Sequence, residues 1–88
     1  MIFTGATSVA RHIMAAASQN LVPVTLELGG KSPNIILEDA DLEKAVTGGV
    51  MHMYNNTGQS CNAPSRMLVP AAKLARAEEI AARTAASV

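Results

Sequence analysis

At 88 residues the chain can build at most one small domain, burying about 60–65% of the surface its unfolded form exposes. Seven Lys and Arg balance seven Asp and Glu, which argues against nucleic acid or an anionic membrane as the main partner, since both need a basic face. The single cysteine excludes an internal disulfide, no His/Cys grouping suggests a structural metal, and no apolar run approaches the roughly 20 residues of a membrane span.

In chain order, Ile2-Phe3-Thr4 predicts the end of a strand that breaks at Gly5. A helix is expected from Thr7, capped by Thr7 or Ser8, because Val9, Ile13 and Ala16–Ala17 recur at helical spacing. Asn20 is its expected stop. Val22 to Leu28 reads as a strand with Pro23 confined to its first residues or an edge. Gly29 to Pro33 is a turn, and Asn34-Ile35-Ile36-Leu37 a short apolar strand expected to be buried on both faces. Acid concentrates in Asp39 to Glu43, where a helix N-terminus favours negative charge. Leu42, Ala45, Val46 and Gly49 then carry one face of a helix to about Tyr54.

Gly48 and Gly49 inside that helix would each weaken it by roughly 1 kcal/mol in isolation, so close packing against a neighbour is expected there. Asn55 to Pro64 reads as a loop, and Arg66 to Val69 as a strand halted by Pro70. The tail from Ala71 has Leu74, Ala77, Ala81, Ala85 and Val88 on one helical side, with Glu79 and Arg83 expected as an i,i+4 pair on the other. The order β-α-β-β-α-loop-β-α is an α/β pattern. No internal repeat, low-complexity run or linker interrupts it.

Aromatic residues make up 2% of the chain and Trp is absent, while alanine supplies much of the 49% hydrophobic content. Alanine removes little area from water, and a self-sufficient domain this short normally uses larger side chains or a staple. The composition therefore points to a segment of something larger. The N-terminus lacks the basic start and long apolar stretch of a signal peptide. With one lone thiol, that places the expectation in a reducing, cytoplasmic setting.

Cys61 lies in a loop of small and amide residues, Asn56-Thr57-Gly58-Gln59-Ser60-Cys61-Asn62-Ala63-Pro64. Backbone donors and amides can stabilise a thiolate, the nucleophilic form; the alternative is a plain small loop residue. Glu27 interrupts the apolar strand Val24-Thr25-Leu26-Glu27-Leu28 just before two glycines. Strand alternation sends Thr25 and Glu27 to one face, so Glu27 is either a solvent-facing carboxylate or a partly buried one that accepts a proton near neutral pH. Gly5-Ala6-Thr7-Ser8-Val9-Ala10 is a strand-to-helix turn whose free N–H groups can receive an anion, a feature shared with many ordinary turns. His12 reads as solvated. His52, nine positions before Cys61, leaves a Cys/His dyad open. Lys31 reads as a solvated turn residue and Arg66 as the polar end of a strand.

Taken together, Phe3-Thr4-Gly5-Ala6-Thr7, Thr25-Leu26-Glu27-Leu28-Gly29-Gly30-Lys31-Ser32-Pro33 and Asn55-Asn56-Thr57-Gly58-Gln59-Ser60-Cys61 resemble the NAD(P)-dependent aldehyde dehydrogenase superfamily. The order and gaps are similar, Glu27 and Cys61 standing 34 positions apart. The resemblance covers essentially the whole chain, and its glutamate and cysteine segments are specific signatures. It implies that residues 1–28 end a Rossmann-like NAD(P)-binding domain and residues 29–88 begin a catalytic domain.

It also implies a Cys61 thiolate that attacks an aldehyde, a thioester formed once hydride has left for NAD or NADP, and Glu27 activating the water that hydrolyses it. Gly5, Ala6, Thr7 and Ala10 would lie beside the cofactor pyrophosphate and ribose, and Leu28 and Gly29 would border the nicotinamide. Ala10 departs from the family's usual glycine, and its methyl bears on cofactor affinity or helix packing. The family's adenine-binding strands, oxyanion asparagine, ribose-holding carboxylate and subunit-association segment have no counterpart in these residues. Full-length members are expected to be homo-oligomers; this chain is expected to be a piece that is inactive alone. A small cysteine esterase using Cys61 and Glu27, or a non-enzymatic piece that binds a full-length partner, are the alternatives. Which aldehyde is taken, and NAD against NADP, depend on residues outside this window.

Overall fold

A parallel pair of strands needs a crossover, and the first thirty residues are built as one. A computed structural model describes residues 1–88, which divide into two units, Met1–Gly30 and Lys31–Val88. In the first, β1 (Ile2–Gly5) leads into α1 (Thr7–Ser18), and α1 returns the chain to β2 (Thr25–Leu28). The strands pair in parallel, with Ile2 opposite Thr25 and Gly5 opposite Leu28. The strand β2 is shorter than the expected span from Val22, since regular pairing begins only at Thr25, whose N–H donates to Met1 O at 2.9 Å.

Neither Thr7 nor Ser8 caps α1. Ala6 holds the N-cap position and no side chain accepts from the first turn. The helix ends at Ser18, and Leu21 turns the chain with φ of 52°, close to the expected stop at Asn20. Only Ala10 and Ala17 of α1 are buried.

The second unit has β3 (Pro33–Ile35) and β4 (Arg66–Leu68), also parallel, in the register Pro33–Arg66, Asn34–Met67, Ile35–Leu68. Between them run α2 (Leu42–Tyr54) and the cysteine loop; after β4 comes α3 (Leu74–Ala85), entered through a 3₁₀ turn at Ala71–Lys73. Asp41 caps α2, its Oδ1 accepting from the Lys44 N–H at 3.1 Å, a contact worth about 1 kcal/mol. The core is Val46 and Val50 of α2 against Ala77 and Ile80 of α3, with Leu42, Met67, Val69, Ala81 and Ala85 packed around it.

Three further expectations change. The run at β3 is not buried on both faces: Ile36 is 6% exposed, but Ile35 and Leu37 are 62% and 63% exposed. In these residues nothing covers the sheet's second face. On α3 the buried stripe is Ala77, Ile80 and Thr84, an i, i+3, i+7 set, whereas Leu74 and Val88 are exposed. Thr84 meets its polar requirement by donating Oγ1 to Ile80 O at 2.8 Å. Glu79 and Arg83 do not pair. Arg76 donates to Glu79 at 2.8 Å, and Arg83 instead reaches Glu43 on α2, which also meets Arg76 at 3.4 Å.

The glycine pair splits as well. A Cβ at Gly49 would collide with the Asn34 side-chain amide and stand 3.0 Å from Met67 Cε, while one at Gly48 would meet nothing within 4 Å. Close packing accounts for Gly49 alone. No helix is long and apolar enough to cross a membrane.

Candidate active site

The cysteine loop starts where α2 stops. Asn55–Gly58 forms a tight turn in which Asn56 (φ 53°, ψ 38°) and Thr57 (φ 59°, ψ 29°) are left-handed, followed by Gly58 at φ 73°. Glycine adopts this conformation freely and asparagine tolerates it, but on a β-branched threonine it costs roughly 1–2 kcal/mol. Hydrogen bonds hold the turn: Asn56 Nδ2 donates to Gln59 O at 2.9 Å, and the Gln59 N–H to Asn56 O at 3.0 Å.

The following residues are fastened to the segment after β2. Lys31 Nζ donates to Gly58 O at 2.9 Å and to Ser60 O at 3.2 Å. The Ser32 N–H donates to Ala63 O at 3.1 Å, and Ala63 itself is buried at 1% exposure. Cys61 lies between these fastenings, free and exposed. Lys31 is therefore more than the solvated turn residue its sequence setting predicts. Its reach across 27 positions left no periodic or compositional trace.

In the first unit, the parallel register brings the other candidates to one edge. Gly5 is opposite Leu28 and Thr4 opposite Glu27, so Gly5, Ala6 and Thr7 share the carboxyl end of the two strands with Glu27, Leu28 and Gly29. Open parallel sheets bind ligands at that end. Glu27 is exposed, as is Thr25, while Leu26 and Leu28 are half-buried, so the solvent-facing reading of Glu27 describes the chain as it stands.

A Cβ at Gly5 would stand 2.7 Å from the Phe3 ring, which ties this glycine to close packing. With no side-chain cap and no acidic residue in its first turn, α1 keeps its initial N–H groups open and its positive end uncancelled. That suits a dinucleotide pyrophosphate. Ala10 is 2% exposed, so its methyl belongs to the packing of α1 and acts on any ligand only through that packing.

His12 is exposed on α1. His52 lines an open cleft of about 850 Å³ in the second unit with Ser32, Asn34 and Asn62, and Cys61 is not among the residues lining it. No group of three His, Cys, Asp or Glu side chains is placed to hold a metal ion.

The aldehyde dehydrogenase family model matches residues 1–88. Among curated relatives, a 3-succinoylsemialdehyde-pyridine dehydrogenase from Pseudomonas sp is 60% identical over 79 residues, 90% of this chain and 17% of the relative. A probable coniferyl aldehyde dehydrogenase from Caulobacter vibrioides is 54% identical over 70 residues, 80% of this chain and 14% of the relative. A mutant of aldehyde dehydrogenase C from Pseudomonas syringae, solved with NAD+ and octanal, superposes with a TM-score of 0.93 at 47% identity, over 99% of this chain and 18% of that one. The NAD+ complex of a Bacillus cereus aldehyde dehydrogenase gives 0.89 at 44% identity, with 99% and 18% covered. The chain thus spans less than a fifth of the length of these relatives. Matched from its first residue to its last, the chain belongs to the aldehyde dehydrogenase family.

Proposed function

We propose that these residues are the catalytic segment of an NAD(P)-dependent enzyme that oxidises an aldehyde to a carboxylic acid. The observation that carries this reading is a free, exposed Cys61 on a fastened loop, inside a chain matched to the aldehyde dehydrogenase family along its whole length. Residues 1–28 are the end of the cofactor domain and residues 29–88 the start of the catalytic domain. The division into units at Gly30 supports that assignment.

In this reading the Cys61 thiolate forms a C–S bond to the aldehyde carbon, and the carbonyl electrons move to oxygen. The Cys61 N–H holds that oxyanion together with a donor from outside this segment. Gly5, Ala6 and Thr7 would hold the pyrophosphate at the start of α1, and Leu28 and Gly29 would border the nicotinamide. When bound, NAD or NADP supplies the hydride acceptor that takes the thiohemiacetal to a thioester. Glu27 then takes a proton from the water that attacks the thioester carbonyl, and the acid leaves as the C–S bond breaks. The substrate is a small-molecule aldehyde and the setting a reducing, cytoplasmic one. The 88 residues alone supply one oxyanion donor and no adenine site, so as an isolated chain they have negligible dehydrogenase activity.

The test is aldehyde-dependent formation of reduced nicotinamide by the full-length protein that carries these residues. Cys61→Ser is expected to lower kcat by at least about 1000-fold. Glu27→Gln is expected to give one rapid equivalent of reduced cofactor per site and then slow turnover, because the thioester accumulates. Retained activity in Cys61→Ser would reject the reading.

A further inference from the structure

We propose that Lys31 is a positioning residue for Cys61: it holds the peptide group that precedes the thiol, and so sets the direction of the Cys61 N–H. The proposal rests on Cys61 being the nucleophile, as above. Lys31 Nζ donates to two carbonyls, Gly58 O at 2.9 Å and Ser60 O at 3.2 Å. Two of the three ammonium donors are thus committed to the backbone of the loop. Both bonds are charge-assisted, which makes them shorter and stronger than neutral ones.

The second bond matters for chemistry. Ser60 C=O and Cys61 N–H belong to one peptide unit, which is planar and trans. A carbonyl drawn to Lys31 therefore turns the Cys61 N–H to the opposite side. That N–H is the oxyanion donor of the proposed reaction, and its contribution depends on being aimed before the charge develops. The first bond matters for order. Gly58 ends the left-handed run Asn56-Thr57-Gly58, a conformation that persists only where surrounding contacts over-determine it. Asn56 restrains that turn from within through Gln59 O; Lys31 restrains it from outside. The neighbouring Ser32 N–H to Ala63 O bond fixes the far side of the loop, so residues 31 and 32 grip it on both sides of Cys61. The Lys31 side chain is exposed, so its replacement acts on the loop without opening a core.

The experiment uses the full-length protein carrying these residues, with Lys31→Met and Lys31→Arg. Methionine keeps an unbranched side chain and removes every donor; arginine keeps the charge and paired donors. Three readouts are taken: steady-state kinetics with saturating cofactor, hydrogen exchange of the peptide spanning residues 55–64, and the alkylation rate of Cys61 by iodoacetamide. Lys31→Met is expected to lower kcat on the order of 10- to 100-fold with KM within about threefold, because a misaimed oxyanion donor weakens the transition state more than the ground state. It is also expected to speed exchange across 55–64 by roughly 10-fold and to change the alkylation rate by more than about twofold, while Lys31→Arg restores most of kcat.

Unchanged loop exchange in Lys31→Met, or a rise in KM with kcat intact, overturns the proposal. So does an equal loss in Lys31→Arg. The two readings fail separately. An active Cys61→Ser removes the functional reading, whereas an inactive Cys61→Ser beside a normal Lys31→Met removes only the positioning of the loop.

Discussion

One methyl group separates glycine from alanine, and α2 carries two adjacent positions that meet it differently. Alanine is favoured over glycine in a helix interior by about 0.8–1 kcal/mol. At Gly48 a Cβ would enter open space, so Gly48→Ala is expected to raise stability by roughly 0.5–1 kcal/mol. At Gly49 the same Cβ meets the Asn34 amide and the Met67 methyl, and overpacking of that kind costs about 1–3 kcal/mol. Gly49→Ala is therefore expected to lose up to about 2 kcal/mol of stability after the helix gain is counted. Urea midpoints of the two variants in one background check this, and equal shifts would sink it. Thr57 offers a second residue-scale test. Its side chain is exposed and its backbone left-handed, so Thr57→Asn should relieve strain and stabilise by about 0.5–1 kcal/mol. Sequence alone marked Gly49 and Cys61, because a glycine in a helix and a cysteine among amides are locally odd. It did not mark Lys31, whose partners lie far along the chain and are backbone atoms that any residue provides.

Among elements, α3 shows how an alanine-rich helix hides its own face. Its existence was plain from periodicity, but alanines at 75, 77, 81, 82, 85 and 86 surround the axis and carry little phase information. Ile80, at 1% exposure, is the side chain that fixes the face; the expected side holds at Ala77, Ala81 and Ala85, which pack at the core, but its ends Leu74 and Val88 are exposed, and it left out Ile80 and Thr84. Ile80→Ala is expected to cost about 2–4 kcal/mol, as for other buried large-to-small changes. Leu74→Ala should cost under about 1 kcal/mol, since Leu74 is 49% exposed. Thermal unfolding of the pair separates these; a larger loss at Leu74 would return the face to the phase counted from that residue. At β3 the failure had a different cause. A continuous apolar run is the mark of a parallel strand covered on both faces, and these residues supply a cover for only one. The strand was read correctly as to type, and its burial depends on what packs against the sheet.

For the molecule as a whole, the α/β order follows from the alternation of strand and helix patterns, but the pairing of β1 with β2 and of β3 with β4 and the distribution of core do not. Half of the eight buried hydrophobic residues are alanines, and thirteen large apolar side chains are exposed. The buried material is uneven. Residues Met1–Gly30 bury only Ala10 and Ala17, whereas Lys31–Val88 joins Val46, Val50, Ala77 and Ile80 across two helices. A two-stranded sheet is marginal without substantial packing, and methyl groups remove too little area to supply it.

The 88 residues produced alone should therefore lose the first unit before the second. Hydrogen exchange of that chain at neutral pH is expected to show amides of β1, α1 and β2 close to unprotected, with α2 and α3 slower by roughly 10- to 100-fold. Equal protection of the two halves would mean that the alanine-packed unit gains stability from contacts beyond its own core. The expected asymmetry bears on function too. Gly5, Ala6, Thr7 and Glu27 sit on the first unit and Cys61 on the second, so the isolated chain is expected to keep its cysteine loop while the residues proposed to meet the cofactor, and the proposed base, lose their order. On the proposed reading, such a chain is expected to remain open to alkylation at Cys61 and to show no aldehyde-dependent reduction of NAD.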